Sequence, residues 1–442
     1  MTVATLLIAF FGLLAIGAPV AAALGGSAVL TSILFSPVPP AIVGQKVLAD
    51  LEHFTLMAVP FFFFAAAFME TGGLVRRLID FTNTLVGHLR GGLGMTTVLS
   101  CMMFAAISGS SPATVAGVGR ILYPSLVREG YSERYAIGAI AVAGSLGILI
   151  PPSIPMILYG FITETSIIRL FLAGMVPALL YGLGLLVMAR LLAGRHKVPL
   201  RPRASWRASA TAFRSAGPAL LLPVFIFVGI YGVPHFTVLG LSWDGGAIFT
   251  PTEAAVVATA LALAIGLLVY REASLRSIIG TIVATAPSIG MIFFITTNAL
   301  LFAFFITKLG IPQSVSDFLV SLHTPQWLFL MMMNAVLIVV GFFLEGVPTI
   351  LMFVPLLLPA AVALGVDPVH FCIIVIVNIE LGLIHPPVGL NLYVGSAISG
   401  LSSWEVFRAV LPWMIVTATM LVVVTYVPAV SLWLPTLVFG PR

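Results

Sequence analysis

Ser108, Ser110, Ser111 and Thr114 put four hydroxyls within seven residues, in the stretch ISGSSPATVAG. Gly109 and Pro112, in the same stretch, are residues that turn a chain. Hydroxyl and carbonyl oxygens are hard ligands, suited to a small cation such as Na+. A second turn, FLEGVPTILM, supplies Glu345, Gly346 and Thr349. Glu345 and Glu380 are the acids of the two turns and the two helix breaks described next. Ionisable groups in such apolar surroundings are candidates for function.

The breaks lie in SLGILIPPSIPMILY (Ser145 to Tyr159) and ELGLIHPPVGLNLYV (Glu380 to Val394). The pattern L-G-x-x-x-P-P occurs in both, at Leu146 and at Leu381. Proline removes an amide donor and clashes with the carbonyl four residues back. Two in succession after a glycine should unwind a helix for several residues. The freed backbone groups are costly in lipid unless protein or a wet cavity receives them. Freed carbonyls can coordinate an ion, and the N-termini of half-helices can hold an anion.

Each feature has a plainer reading. Pro-Pro can be a structural kink, and SGSSPA can serve close helix packing. Glu345 and Glu380 can be acids bonded to backbone amides, His385 a core histidine, and Asn298, Asn378 and Asn391 bridges between helices. The functional reading gains from coincidence, because turn and break occur together twice.

The elements that must hold these residues are membrane helices. The chain has 442 residues, 60% hydrophobic and only 8% charged, with mean hydropathy +1.17. Soluble domains carry about a quarter charged residues. Apolar runs of about 20 residues recur throughout, each long enough to span a bilayer, so the expected class is an all-α polytopic membrane protein. Spans are expected at about 2–18, 19–36, 53–72, 135–163, 168–193, 216–234, 251–270, 277–306, 369–398 and 404–435. Residues 92–127 and 327–365 read as re-entrant hairpins entering from opposite sides. The polar segment Arg190 to Ser215 is too short for a soluble domain. Cys101 and Cys372 form no metal spacing and read as packing residues. The N-terminal run lacks a basic leader and reads as a retained helix.

The basic excess, 20 Lys and Arg against 15 Asp and Glu, is not a nucleic-acid footprint. Sixteen of the twenty fall on one side of the expected topology, including Arg195 and Lys197. Lys46, Arg169, Lys308 and Arg442 are left on the other. This bias marks the cytoplasmic side. The side of Met1 depends on whether Gly17 to Pro19 is a tight turn.

One offset accounts for the duplications. Pro151 and Pro386, Gly147 and Gly382, Gly160 and Gly395, Pro124 and Pro359, and Pro177 and Pro412 each differ by 235 positions. The chain reads as two halves, 1–205 and 206–442. The opposed hairpins make them inverted repeats, a construction common among secondary transporters. Amphipathic stretches precede each hairpin, matched at Gly73 and Gly310. They are expected to lie at the interface as arms.

GSSPATVAGVG, SLGILIPPSIPMILYG, FTPTEAAVVA and ELGLIHPPVGLNLYVG resemble the large membrane subunit of tripartite ATP-independent periplasmic (TRAP) transporters. The resemblance covers essentially the whole chain. It implies an elevator fold, a scaffold plus a mobile transport domain with both hairpins, coupling Na+ entry to uptake of an organic acid. It also implies a periplasmic substrate-binding protein, a separate small four-helix membrane subunit, and the bacterial inner membrane. Carried over, one set of Na+ ligands comes from Ser108, Gly109, Ser110 and Thr114 with Ser145 and Gly147. The other comes from Glu345, Gly346 and Thr349 with Glu380 and Gly382. Substrate contacts are expected from Ser108, Ser110, Ser111, Pro151, Pro152, Pro386, Pro387 and Asn391. His385 stands where a hydroxyl residue is expected.

Two rivals are a stand-alone Na+/dicarboxylate symporter and an intramembrane hydrolase using Ser110 or Ser111. The hydrolase fits poorly, since G-S-S-P-A is not G-x-S-x-G and there is no H-E-x-x-H. No Walker loop is present. A transporter, not an enzyme, is the expectation.

Overall fold

The computed structural model describes residues 2–35, 40–194, 201–232, 236–238, 241–243 and 246–440. The expectations for Met1, Arg195, Lys197 and Arg442 lie outside these residues. Helices α1 (Thr2–Ala15) and α2 (Val20–Phe35) pack as an antiparallel pair. Gly17, in the left-handed region at φ 84°, turns the chain between them. The tight-turn reading of Gly17 to Pro19 therefore holds. Next come α3 (Pro40–Leu51) and α4 (Ala58–Thr71), the latter entered through a 3-10 turn at Phe54–Met57.

The arm α5 (Leu74–Val86), the pair α6 (Gly92–Ser108) and α7 (Ser111–Arg128), and the helix α8 (Glu133–Ala143) follow. A 3-10 turn, Gly144–Ile148, carries α8 into the break before α9 (Ile154–Thr163). Then come α10 (Ile167–Ala193) and α11 (Trp206–Tyr231). α11 starts ten residues before the expected span, so much of the basic segment is helical. Two three-residue strands, Phe236–Val238 and Leu241–Trp243, pair antiparallel before α12 (Pro251–Ala264). They are a small exception to an otherwise helical fold.

α12 runs on as a π turn, Ile265–Val269, and α13 (Leu275–Lys308) is the longest helix described. The second half then repeats the order of the first: arm α14 (Ile311–Ser321), pair α15 (Gln326–Gly341) and α16 (Gly346–Ala363), broken helix α17 (Pro368–Leu383) and α18 (Leu390–Ser399), and α19 (Ser403–Tyr426). α20 (Ala429–Phe439) corrects an expectation: the run 404–435 is two helices, divided where Pro428 interrupts the amide ladder.

Both arms start at a left-handed glycine, Gly73 at φ 74° and Gly310 at φ 68°. The matched glycines of the sequence are therefore matched turns. The Pro151–Pro152 and Pro386–Pro387 peptide bonds are both cis. Seven helices among the described residues are long and apolar enough to cross a membrane.

Burial separates inner from outer helices. Every residue from Tyr135 to Ala143 on α8, and from Val369 to Leu383 on α17, is buried. α1, α11 and α13 instead expose large apolar side chains, among them Ile8, Phe225 and Phe294. An all-round apolar helix is either enclosed or faces lipid. α8 and α17, the first halves of the two broken helices, are the enclosed ones.

Candidate functional site

The first pair of helices turns at Ser108 to Ser111. Gly109 adopts φ 58°, which ends α6, and the extended Ser110 opens α7. Pro112 stands in the first turn of α7, where its missing amide costs nothing. The Ser108 and Thr114 hydroxyls are 2.8 Å apart. Thr114 Oγ1 donates to the Ser110 carbonyl at 2.8 Å, and Ser108 Oγ reaches the same carbonyl at 3.4 Å. The result is a knot of three oxygens. Gly147 passes directly over it: a β-carbon there would sit 2.5 Å from the Ser110 carbonyl oxygen and 2.6 Å from Thr114 Oγ1. The Gly109 carbonyl accepts from the Ile154 amide at 3.2 Å, tying the tip to the start of α9.

The second tip is built by the same logic with different residues. Thr349 Oγ1 donates to the Glu345 carbonyl at 2.8 Å. Gly382 lies against Gly341, where a β-carbon would come within 2.8 Å of the Gly341 carbonyl oxygen. A β-carbon on Gly346 would stand 2.9 Å from the Ile379 side chain. The Val388 amide donates to the Phe342 carbonyl at 3.1 Å, tying this tip to its break. His385 stacks on Phe342 with ring centres 3.9 Å apart and meets Phe407 edge-on. It is a packed aromatic, half-buried rather than in the core, with Nδ1 2.6 Å from the Pro386 carbonyl oxygen.

The two tips meet at one cavity of about 40 Å³. The N-termini of α7, α9 and α16 reach it through Ser111, Ile154 and Gly346. The C-terminal ends of the 144–148 turn and of α17 reach it through Ile148 and Leu383. Phe63 of α4 and Ile292 of α13 close its wall. Helix N-termini carry about half a positive charge and C-termini about half a negative one. One small space therefore offers a pole for an anion beside carbonyl ends for a cation. Among the described residues no group of three His, Cys, Asp or Glu converges that could hold a metal. Any cation here would rest on hydroxyls and carbonyls, with Glu345 the one carboxyl in the lining.

The structure brings Ser110, Ser111, Glu345 and Gly346 to the cavity wall, with Ser108, Thr114, Gly147 and Thr349 just behind them. The prolines Pro151, Pro152, Pro386 and Pro387 lie outside its lining and make the breaks. Asn391 bonds Ser111 and also donates to the Ala141 carbonyl at 3.0 Å. It thus ties the first tip to the second broken helix.

Two expected ion ligands point elsewhere. The Ser145 hydroxyl donates to Val142 and pairs with the Tyr181 hydroxyl at 2.9 Å. Glu380 is fully buried, and neither carboxyl oxygen has a hydrogen-bond partner. The 3-10 turn rotates Ser145 off the tip, while Ile379 and Leu383 take the cavity face of α17. Phe63, Ile292 and Ile154 were not foreseen. Their only sequence signal is apolar character, which does not distinguish a cavity wall from a core.

The description matched to residues 7–430 is the tripartite ATP-independent periplasmic transporter, DctM component. The C4-dicarboxylate TRAP transporter large permease protein of Pseudomonas aeruginosa is 47% identical over 93% of this chain and 93% of its own. The protein of the same description from Vibrio cholerae is 41% identical over 100% and 99%. The sialic acid TRAP transporter large permease protein of Vibrio cholerae is 32% identical over 98% of each. In fold the chain is similar to the Alcanivorax borkumensis YdaH transporter (TM-score 0.53, 13% identity, 87% of this chain and 86% of that one). It is similar also to Neisseria gonorrhoeae MtrF (TM-score 0.55, 12% identity, 92% and 84%). The relatives are transporters rather than enzymes, and with seven membrane-capable helices the chain is an inner-membrane protein. With a family match over nearly its whole length and relatives above 40% identity, this chain belongs to the DctM component family of tripartite ATP-independent periplasmic transporters.

Proposed function

We propose that the chain is the permease through which a C4-dicarboxylate, delivered by a periplasmic binding protein, enters the cell together with Na+. The observation that carries this reading is the single cavity where three helix N-termini and two C-terminal ends meet between both tips. A carboxylate suits the N-terminal pole and Na+ the oxygen knot of Ser108, Ser110 and Thr114. Relatives described as C4-dicarboxylate permeases, at 47% and 41% identity, favour that substrate class. A small four-helix membrane subunit would sit on the exposed apolar face of the outer helices.

The chain is read as two inverted repeats, 1–205 and 206–442. The helix pairs and broken helices would move as one body past α1, α2, α4, α11, α12 and α13, with α5 and α14 as arms. Phe63 and Ile292 supply the fixed side of the cavity in this scheme.

The test is reconstitution with the small subunit in proteoliposomes, with radiolabelled succinate and purified binding protein. Uptake should require both the binding protein and an inward Na+ gradient. Robust uptake by this chain alone would leave the stand-alone symporter, and indifference to Na+ would remove that ion from the cycle.

A further inference from the structure

An apolar cavity and a cluster of arginines adjoin each other where the arm α5 meets α11. The cavity, of about 340 Å³, lies between α5, α6, α10 and α11, beside the break at Pro151. Every residue of its lining is apolar, among them Leu78, Met102, Ala178, Ala219 and Phe227. Leu179 of the lining is 55% exposed, so the space opens to the apolar outer face. Water needs about two to four polar partners to settle in a cavity, and this lining offers no polar side chain. An apolar space of about 150 Å³ already takes up benzene. A partner's α-helix, about 10–12 Å across, is too thick for it. A single file of methylenes is not.

The arginines stand where α5 and α11 reach this space. Arg77 precedes Leu78. Its guanidinium carbon lies 3.8 Å from the centre of the Tyr270 ring, and its Nη1 lies 2.8 Å from Glu272. Tyr270 Oη donates to the Ser215 carbonyl at 2.7 Å, one helical turn before Ala219. Phe81 and Phe213 meet with ring centres 5.5 Å apart. These contacts gather Arg76, Arg214 and Arg271, each next in sequence to a member of the group. All three are exposed, and among the described residues none of them forms an ion pair. Against them stand Glu272, engaged by Arg77, and Asp80, one turn beyond Arg76. The local balance is positive.

We propose that this cavity and these arginines form a site for one acidic phospholipid, with an acyl chain between α6 and α11 and the phosphate at Arg76, Arg214 and Arg271. Basic residues at the membrane surface attract anionic headgroups, and each buried methylene adds to the hold. The fold contains its own comparison. Leu99, Met102 and Ala106 of α6 line this cavity; the positions 237 further on, Val336, Val339 and Phe343 of α15, line a second one of about 730 Å³. α1, α15 and α16 bring that one no Lys or Arg, and α13 brings Lys308. The apolar space recurs in both halves, whereas the arginine cluster belongs to the first. The proposal does not rest on the transport reading, because its test reads bound lipid and not uptake.

The experiment is native mass spectrometry of the delipidated chain with its small subunit, titrated with dioleoyl phosphatidylglycerol or dioleoyl phosphatidylcholine. The two lipids share their chains and differ in headgroup charge. One phosphatidylglycerol should be held about tenfold or more tighter than phosphatidylcholine. Arg214→Gln with Arg271→Gln should remove that preference. Ala106→Phe, which gives α6 the side chain α15 has at Phe343, should weaken both lipids by filling the space. If Ala106→Phe does not fold, the arginine variant, on exposed side chains, still decides. Equal affinity of the wild type for the two lipids, or a preference that survives the arginine variant, would overturn the proposal. So would inorganic phosphate that displaces phosphatidylglycerol at equal concentration, since the chain would then not be held. Phosphatidylglycerol that binds this chain alone and is expelled by the small subunit would assign the cavity to that subunit instead, and overturn it too.

Discussion

Ser111 Oγ lies 3.0 Å from Oδ1 and 2.8 Å from Nδ2 of Asn391, across 280 residues of chain. Both residues are fully buried. The first tip is thus clasped to the second broken helix by one side-chain pair. Movement of one without the other would leave a buried amide unsatisfied. Ser111→Ala and Asn391→Ala should each destabilise the protein by about 1–3 kcal/mol, and the double variant should fall short of the sum by about 1 kcal/mol. Denaturant unfolding in detergent measures the cycle. Strict additivity would mean that the pair does not couple the two halves.

Gly147 and Gly382 each hold a broken helix against its neighbouring helix pair by lacking a side chain. Gly147→Ala would drive a methyl group into the Ser110 carbonyl, an unyielding backbone atom. The cost should be about 1–3 kcal/mol, with uptake lost more steeply than stability because the oxygen knot is displaced. Gly217→Ala is the control, since no atom lies within 4 Å of its β-position. In mid-helix it should be neutral or stabilising by up to about 1 kcal/mol. Equal melting temperatures for Gly147→Ala and wild type would contradict the tight contact.

Much of this is legible in the sequence alone. Proline and glycine act through the backbone, so their positions announce breaks and turns wherever tertiary contacts fall. That is why the offset of Pro151 from Pro386 and of Gly73 from Gly310 survived as matched geometry. Side-chain direction was harder to read. Ser145 and Glu380 stand close to their Pro-Pro pairs in sequence, yet the 3-10 turn aims Ser145 at Tyr181, and α17 keeps Glu380 buried outside the cavity lining. Tyr181 and Thr417, whose hydroxyls pair at 2.7 Å, lie on long helices where nothing local marks them. The strands at Phe236–Trp243 and the split at Pro428 fell where apolar runs hide a change of element.

Thr114→Val keeps the shape of the side chain and removes the oxygen that bridges Ser108 and the Ser110 carbonyl. If this knot holds Na+, the loss of one ligand should cost about 1–3 kcal/mol, raising the Na+ needed for half-maximal uptake about tenfold or more. Thr349→Val should do the same at the second tip, where the hydroxyl meets the Glu345 carbonyl. Sodium titration of uptake in proteoliposomes checks both. Unchanged Na+ activation in both variants would reduce these hydroxyls to packing residues.

Arg120 on α7 and Glu70 on α4 form an ion pair at 2.5 Å that joins a hairpin helix to an outer helix. The side chains are 66% and 36% exposed, so the pair should contribute only about 0–1 kcal/mol to stability. A contact that weak cannot hold the fold, but it can bias a motion. If the hairpin slides past α4, the pair exists in one end state and is broken in the other, so its removal shifts the balance by at most that amount, about fivefold. Glu70→Gln and Arg120→Gln should shift the balance alike, without lowering the melting temperature. The charge-swapped double variant Glu70→Arg with Arg120→Glu should restore it, and high salt should mimic the loss. Cysteine cross-linking yield between α4 and α7 reads the population directly. Identical yields in wild type and both single variants would show that the pair takes no part in the motion.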